Sequence, residues 1–251
     1  MGFVGQIIRG AALLALCGGL ARDASAQAES LPPVDLALVL VVDASGSIDP
    51  AEFQLQKEGI AAAILDEEVL RAIRSGRHDR LAIALVEWGS PGGAAIVVDW
   101  MTVGDRAGAA AFSAAILSAP RSTQSYNALG DAMHLAIGLI GDCPCAPTRR
   151  VIDISGDNPD NRSHVPSPAA RDMAVAAGIT VNALAILNDG RMGSGGQPFL
   201  VEVYERDVIG GFGAFVMTAD TRADFARALR QKMILEIAQT VAGPSDEALL
   251  D

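Results

Sequence analysis

Apolar residues fall along this chain in two alternating patterns. In some segments nearly every position is apolar, as in residues 36–42 (Leu-Ala-Leu-Val-Leu-Val-Val), the pattern of a strand buried on both faces of a sheet. In the segments between them, apolar residues recur at helical spacing. The predicted strands are 36–42, 81–88, 95–100, 150–155, 179–187 and 213–218, and the predicted helices are 50–65, 67–75, 105–118, 129–140, 168–177, 198–206 and 222–242.

This alternation predicts one α/β domain with a doubly wound, mostly parallel sheet flanked by helices, a Rossmann-like arrangement. Gly92-Gly93 indicates a hairpin-like connection, so the strand that follows is expected to be a short antiparallel edge strand. No linker-like stretch interrupts the alternation. The domain is therefore expected to span residues 27–242, and a flexible tail is expected at 243–251.

The first 26 residues have the pattern of a signal peptide. Arg9 supplies a positive start, residues 11–20 form a short apolar region, and Ala24-Ser25-Ala26 is a small-x-small cleavage site. The apolar region is about half as long as a bilayer-spanning helix, so no transmembrane segment is expected. We therefore predict a periplasmic or secreted protein that is cleaved after Ala26.

The net charge argues against one class of partner, and the cysteines limit the possible covalent and metal chemistry. The 251 residues carry a formal net charge of −11 at pH 7, and such an acidic surface repels nucleic acid. Cys17 lies in the signal segment, where Leu16 before it disfavours lipidation. Cys143 and Cys145 are expected to form a local disulfide or to remain inert thiols, because the alternative, a zinc site, needs two further ligands.

Candidate chemistry follows the first predicted strand. That strand runs directly into Asp43-Ala44-Ser45-Gly46-Ser47, in which oxygen-bearing side chains stand at every second position of a turn made tight by Gly46. Carboxylate and hydroxyl oxygens are the ligands that a hard cation such as Mg²⁺ accepts. In a doubly wound sheet, ligands bind beyond the carboxyl ends of the strands, so the turn is well placed for binding.

These residues resemble the von Willebrand factor A domain family and its metal-ion-dependent adhesion site. That family completes the site with a Thr-x-(Ile/Leu)-Gly-x-Ala-Leu segment, matched here by Asn127-Ala128-Leu129-Gly130-Asp131-Ala132-Met133, and with a strand that leads to an Asp, matched by Asp157. In detail the chain resembles a bacterial, exported subfamily of unknown function, through Glu87-Trp88, the turn at 155–157, the segment 208–211 and the ending at 232–238.

The resemblance implies a role for each of these residues. Ser45 and Ser47 would bind a divalent cation, Mg²⁺ or else Mn²⁺ or Ca²⁺, and Asp43 and Asp157 would act mainly through bound water. The open coordination position would take the Asp or Glu side chain of a protein ligand. Asn127 departs from the family's Thr; its amide oxygen is a competent ligand but reaches about one bond further than a hydroxyl.

Two hydroxyl residues upstream, Thr123 and Ser125, are the alternatives to Asn127.

Other acidic residues are better explained structurally. Asp49 fits the N-cap of the first helix, and Asp131 in the first turn of its helix favours the helix dipole. Asp153 alternates with apolar residues on a strand, and an ion pair with Arg149 or Arg150 is expected for it.

The sequence favours a binding module over an enzyme. It contains neither a Gly-x-Ser-x-Gly nucleophile elbow nor a Gly-x-x-x-x-Gly-Lys phosphate loop. The leading hypothesis is an exported, metal-dependent protein-binding module. The alternative keeps the fold but has a structural or lost metal, and binds an envelope partner through another surface such as residues 189–197. A third hypothesis, a hydrolase, requires His164 to lie beside Ser45 or Ser155.

Overall fold

The computed structural model describes residues 31–187 and 190–239. The predicted signal peptide at 1–26 and the tail at 243–251 lie outside these residues. The strands are β1 (Pro33–Asp43), β2 (Leu81–Trp88), β3 (Ala95–Val103), β4 (Ala146–Gly156), β5 (Thr180–Ile186) and β6 (Val216–Ala219). The helices are α1 (Pro50–Leu65), α2 (Glu67–Arg74), α3 (Arg106–Ser118), α4 (Leu129–Gly141), α5 (Ser167–Ala176), α6 (Phe199–Asp207) and α7 (Phe225–Ala238).

The six strands form one sheet in the order β3-β2-β1-β4-β5-β6. All neighbours are parallel except β2 and β3, so β3 is the antiparallel edge strand that the sequence predicted. The chain proceeds from β1 outward to β3 and then returns to the other side of β1 with β4. The order therefore reverses between β1 and β4, and ligands bind at such a reversal in doubly wound sheets.

Helices cover both faces of the sheet. One core packs α1, α2, α3 and α7 against the sheet through residues such as Ile60, Phe112 and Phe225. The other core packs α4, α5 and α6 against the opposite face, with Trp88 and Tyr204 as its largest fully buried side chains. The central strands are therefore buried on both sides, which explains why their sequences are continuously apolar.

The start of α1 follows its sequence signals. The Asp49 carboxylate accepts hydrogen bonds of 2.8 Å from the backbone nitrogens of Ala51 and Glu52, and Glu52 accepts from the Asp49 nitrogen at 3.1 Å. This capping box, with Pro50 in the first turn, confirms Asp49 as an N-cap.

Several element boundaries differ from the sequence prediction. β6 begins at Val216 and not at Gly213, because Gly211 and Gly213 have φ values of +94° and +67°, which an extended strand cannot adopt. The last helix is preceded by a 3₁₀ turn at Arg222–Asp224. Within residues 31–187 and 190–239, no helix has the length and apolar character needed to cross a membrane.

Two predictions about side-chain pairing had different outcomes. Cys143 and Cys145 form a disulfide, which is one of the two alternatives that the sequence left open for them. The ion pair predicted for Asp153 was wrong: its carboxyl group contacts Lys232 of α7 at 2.5 Å. Arg149, on the same strand, donates instead to the carbonyl oxygen of Glu236 at 3.1 Å. The error arose because Lys232 is distant in sequence and reaches β4 only once α7 packs on the sheet.

Candidate metal centre

The candidate site lies where β1 and β4 end side by side. The last paired residues of the two strands are Val42 and Ser155, so Asp43 and Asp157 leave the sheet at the same edge. Asp43 is fully buried at the end of β1, and Asp157, just beyond β4, is partly exposed. The two carboxylates proposed from the sequence therefore meet at the reversal of strand order.

The loop between β1 and α1 folds its polar side chains toward one another. The Ser45 nitrogen donates to Asp43 Oδ1 at 2.8 Å, and the Ser45 and Ser47 hydroxyl oxygens lie 3.0 Å apart. A Cβ atom on Gly46 would lie 3.1 Å from the carbonyl oxygen of Ser125. Ser125 lies on the loop between α3 and α4 (residues 119–128, the second loop), so a glycine at position 46 lets this loop approach closely. The structure thus brings Asp43, Ser45 and Ser47 into one group.

The electrostatics of this group favour neutralisation of Asp43. Burial is the largest cause, followed by the nearby charge of Asp157, and together they raise the pKa of Asp43 to about 7 despite hydrogen bonds from Ser45. Burial and the charges of both carboxylates also raise the pKa of Tyr204 well above its usual value, so its hydroxyl stays protonated. Two acidic groups that repel each other, one of them buried, favour a positive charge between them.

The backbone of Asn127 is positioned by two hydrogen bonds to Asn161. Its nitrogen donates to Asn161 Oδ1 at 3.3 Å and its carbonyl oxygen accepts from the Asn161 nitrogen at 2.9 Å. The next residue, Ala128, donates to the Gly89 carbonyl at 2.8 Å, and a Cβ on Gly89 would lie 3.1 Å from the Ser45 Cα. The second loop is therefore fastened beside the first.

Thr123 and Ser125, the alternatives to Asn127, lie on the same loop. Both residues are exposed, and the Ser125 nitrogen donates to the Ser90 hydroxyl at 3.0 Å. Among the hydrogen bonds of the described residues, none joins the hydroxyl of either residue to Asp43, Ser45 or Ser47.

Two buried oxygen atoms of the candidate ligands have no hydrogen-bond partner. They are Asp43 Oδ2 and Asn127 Oδ1. A buried polar atom without a protein partner is costly, and in native proteins such an atom usually contacts a water molecule or an ion. The residues also supply hard oxygen donors of the kind that Mg²⁺, Mn²⁺ and Ca²⁺ accept. This donor set fits a divalent cation, although the described residues hold no cluster of three or more His, Cys, Asp or Glu.

The sequence pattern of one protein family, described as a protein of unknown function (DUF1194), matches residues 33–241. The chain belongs to the DUF1194 family. No protein with a curated description matches its sequence significantly.

Solved structures show that this DUF1194 chain has the von Willebrand factor A fold. The mussel-byssus proximal thread matrix protein 1 matches with a TM-score of 0.59 at 15% identity, over 83% of this chain and 47% of that one. A second structure of the same mussel protein, with a TM-score of 0.56, has a zinc-occupied metal-ion-dependent adhesion site.

Two bacterial structures agree on the fold. The von Willebrand factor type A protein from Catenulispora acidiphila has a TM-score of 0.53 at 17% identity, over 82% of this chain and 43% of that one. The pilus adhesin SpaC from Lactobacillus rhamnosus GG has a TM-score of 0.56 at 15% identity, over 82% of this chain and 30% of that one. The DUF1194 chain thus spans less than half the length of these three proteins.

Arg121 is a residue of the site that the sequence did not reveal. Its guanidinium donates to the carbonyl oxygens of Ala44, Ser45 and Ile48 at 3.0, 3.1 and 2.9 Å, and it stacks over the Phe53 ring, 4.6 Å from the ring centroid. It therefore holds the β1–α1 loop from outside. An isolated arginine 73 or more positions away gives no local signal of this contact.

Two aromatic side chains, Trp88 and Tyr204, pack against the end of β4 next to Asp157. Trp88 Nε1 donates to the Ser155 carbonyl at 3.3 Å, and the Tyr204 hydroxyl donates to the Asn158 carbonyl at 3.1 Å. A Cβ on Gly156 would lie 2.7 Å from the Tyr204 hydroxyl oxygen and 2.8 Å from the Trp88 ring. A glycine is therefore required at position 156, where β4 contacts these two side chains.

His164 does not join the candidate metal group. Its Nδ1 atom lies 2.9 Å from Asp131 Oδ2, and Asp131 also accepts from the nitrogens of Gly92 and Val165, both at 2.9 Å. Although burial opposes it, these hydrogen bonds lower the pKa of Asp131. Asp131 thus has a structural role and ties three loops together. Among the described residues, no hydrogen bond links His164 to Ser45 or to Ser155, the arrangement that the hydrolase hypothesis needs.

Proposed function

We propose that this protein is an exported binding module that holds a divalent cation at the carboxyl edge of its sheet and uses it to capture an acidic side chain of a protein ligand. The observation that carries the proposal is the pair of partnerless buried oxygens, Asp43 Oδ2 and Asn127 Oδ1, beside two carboxylates that repel each other. A cation would satisfy the oxygens and remove the repulsion together.

Each residue of the group has a specific part in this proposal. Ser45 and Ser47 offer their hydroxyl oxygens directly, while Asp43 and Asp157 supply negative charge and orient water. Asn127 offers its amide oxygen from the second loop. The cation, when bound, supplies a positive charge that an Asp or Glu of the ligand can approach. Arg121 and the Asn127–Asn161 pair keep the two loops in place before any ligand arrives.

The relatives of known structure support adhesion more than catalysis. One is described as a pilus adhesin, another as a matrix protein with a zinc-occupied adhesion site. We infer from these, and from the pairing of His164 with Asp131, that the protein is not an enzyme.

Export is supported by the chain itself. The segment 1–26 has the features of a signal peptide, and disulfides such as Cys143–Cys145 persist in oxidising compartments. We therefore place the protein in the periplasm or outside the cell, with Gln27 as its first mature residue. Mass spectrometry of the native protein tests this: an uncleaved Met1 or a lipidated Cys17 would contradict it.

Calorimetric titration of Mg²⁺ or Mn²⁺ into the metal-free protein tests the site. We expect one bound cation per chain, and we expect Asp157→Ala to abolish binding because it removes a carboxylate of the group. Asp172→Asn is the matched control, since Asp172 is an exposed carboxylate on α5, paired with Arg171. Heat of binding that survives Asp157→Ala would place the cation elsewhere.

Affinity capture from an envelope extract then tests the ligand. Partners retained with Mg²⁺ and released by a chelator support the module, and the Asp157→Ala protein should retain none of them. Partners that bind equally with and without chelator, and equally to Asp157→Ala, would favour the alternative in which another surface binds.

A further inference from the structure

A lysine is completely buried between two carboxyl groups in the interior of the domain. Lys232 of α7 is 0% exposed, Asp153 on β4 is 1% exposed and Glu236, one helical turn after Lys232, is 0% exposed. The Lys232 Nζ atom lies 2.5 Å from Asp153 Oδ1 and 2.6 Å from Glu236 Oε1. This cluster lies along the strand from the metal centre and takes no part in the proposed function.

The Lys232 amine is in direct contact with both carboxyl groups. It donates a hydrogen bond to Glu236 Oε1 at 2.6 Å, and its nitrogen lies 2.5 Å from Asp153 Oδ1. The amine nitrogen is therefore held against the carboxyl group of Asp153. Such close placement of two reacting groups supplies much of what an intramolecular reaction requires.

The surroundings fix Glu236 and exclude water. Asn182 Nδ2 donates to Glu236 Oε1 at 2.8 Å, and the Asn182 side-chain oxygen accepts from the Phe215 nitrogen at 3.2 Å. The Phe215 ring centroid lies 5.6 Å from Lys232 Nζ. Glu236 is thus held beside the amine and is available to take a proton.

The choice of lysine at this position is itself informative. The chain has 19 basic residues; Lys57 and Lys232 are lysines and the other 17 are arginines. Arginine is the better partner for a buried ion pair because it bonds in a bidentate manner and keeps its charge. Lysine can give up its proton and act as a nucleophile, which arginine cannot.

We propose that Lys232 and Asp153 become joined by an intramolecular amide bond between Nζ and Cγ, with Glu236 as the group that carries the protons. The cross-link would tie α7 to the centre of the sheet.

The reaction balances without any further reagent. It begins with a Lys232 ammonium, a Glu236 carboxylate and a protonated Asp153, for which burial first and the charge of Glu236 second raise the pKa well above the usual value. Glu236 takes a proton from the ammonium, and the free amine attacks Asp153 Cγ. The Nζ–Cγ bond forms, a Cγ–Oδ bond breaks, and the oxygen leaves as water with a second proton from the nitrogen. An amide, one water and a protonated Glu236 remain, so the core no longer holds a charge.

The mass of the intact, reduced and denatured protein tests this directly. We expect it to be lower than the mass of the same chain calculated from its sequence by one water molecule. A full mass, persisting after prolonged incubation of the folded protein at mildly acidic and neutral pH, would overturn the proposal and leave an ordinary buried ion pair.

Peptide mapping locates the bond. Trypsin cleaves after Arg150, Arg162 and Arg230 but not after an acylated lysine, so the cross-linked protein should give one branched peptide made of 151–162 and 231–251. Cleavage after Lys232 in the whole sample would contradict the bond.

Two substitutions separate this chemistry from folding. Glu236→Gln removes the proton acceptor and should give the full mass, whereas Lys57→Arg, at the other lysine, should keep the loss of water. The wild-type mass alone decides the matter if Glu236→Gln fails to fold. A loss of water that persists in a Lys232→Arg variant would place the reaction elsewhere in the chain and refute the assignment.

Discussion

Removal of the charge on Asp43 should stabilise the metal-free protein at neutral pH. Asp43 is fully buried, and burial together with Asp157 raises its pKa from 3.8 to about 7. In the unfolded chain the carboxyl group ionises freely near its usual pKa. Between these two values the folded state binds a proton that the unfolded state has lost, so folding becomes less favourable as pH rises. Asp43→Asn carries no charge and should not show this loss.

The magnitude follows from the pKa of Asp43 in the folded and unfolded protein. A difference of one between two pKa values corresponds to about 1.4 kcal/mol, so a pKa raised from 3.8 to about 7 costs the folded state about 4 kcal/mol once both forms are ionised. Integration between pH 5 and pH 7.5 gives a loss of roughly 2–3 kcal/mol in the free energy of unfolding. Proton binding by Asp43 therefore contributes fully to the free energy of unfolding below about pH 4, and this contribution is lost as pH rises through about 7.

Urea unfolding of chelator-treated protein at pH 5 and pH 7.5 measures this difference. The free energy of unfolding of the wild type should fall by roughly 2–3 kcal/mol more than that of Asp43→Asn between the two pH values. At pH 7.5, Mg²⁺ at a hundred times its dissociation constant should raise the free energy of unfolding of the wild type by about 2.7 kcal/mol, and that of the variant by less. Asp172→Asn removes an exposed carboxylate and should behave as the wild type. Equal pH dependence in wild type and Asp43→Asn would refute the reasoning.

Three further changes test the surroundings of the site. Asn127→Thr should strengthen Mg²⁺ binding threefold to tenfold, about 0.7–1.4 kcal/mol by calorimetry, since a hydroxyl fits the slot better; no change would mean that Thr123 or Ser125 fills it. Arg121→Ala leaves three loop carbonyls without their donor, so thermal unfolding should show a loss of about 1–3 kcal/mol together with weaker Mg²⁺ binding; an unchanged Mg²⁺ affinity would refute its positioning role. Gly156→Ala should destabilise by about 1–3 kcal/mol through contact with Tyr204, whereas Gly138→Ala, which meets no atom within 4 Å, is the control and should not destabilise.

The sequence predicted the sheet well because each strand carries its own signal. The continuous apolar run of β1 and the glycines before β3 are local features, and they specify buried strands and an antiparallel edge without knowledge of the rest of the chain. The Asp43-Ala44-Ser45-Gly46-Ser47 turn is local in the same sense. Asp157 was reached through the family resemblance, since a single Asp after a strand is too common a feature to identify a ligand.

What the sequence missed depends on contacts between distant segments. Arg121 reaches the β1–α1 loop across more than 70 positions, and Lys232 reaches Asp153 only through the packing of α7 on the sheet. Nearest-neighbour reasoning therefore paired Asp153 with the arginines beside it on β4. The face of the sheet to which a strand side chain points decides its partners. Arg149 donates to the carbonyl oxygen of Glu236, near the C-terminal end of α7.

Asp43 and Asp153 are both buried, but they differ in their distance from solvent and in the partners that the chain provides for them. Asp153 is enclosed within β4, where no ion from solution can reach it, and its partner is Lys232 of the same chain. Asp43 lies at the strand end, beside the exposed Ser47 and the partly exposed Asp157, and the chain leaves one of its oxygens without a partner. Removal of metal should therefore change the environment of Asp43 and leave that of Asp153 as it is. If the proposed site binds a cation, we expect the response at the carboxyl edge of the sheet, because of these two places only that edge is open to ions from solution.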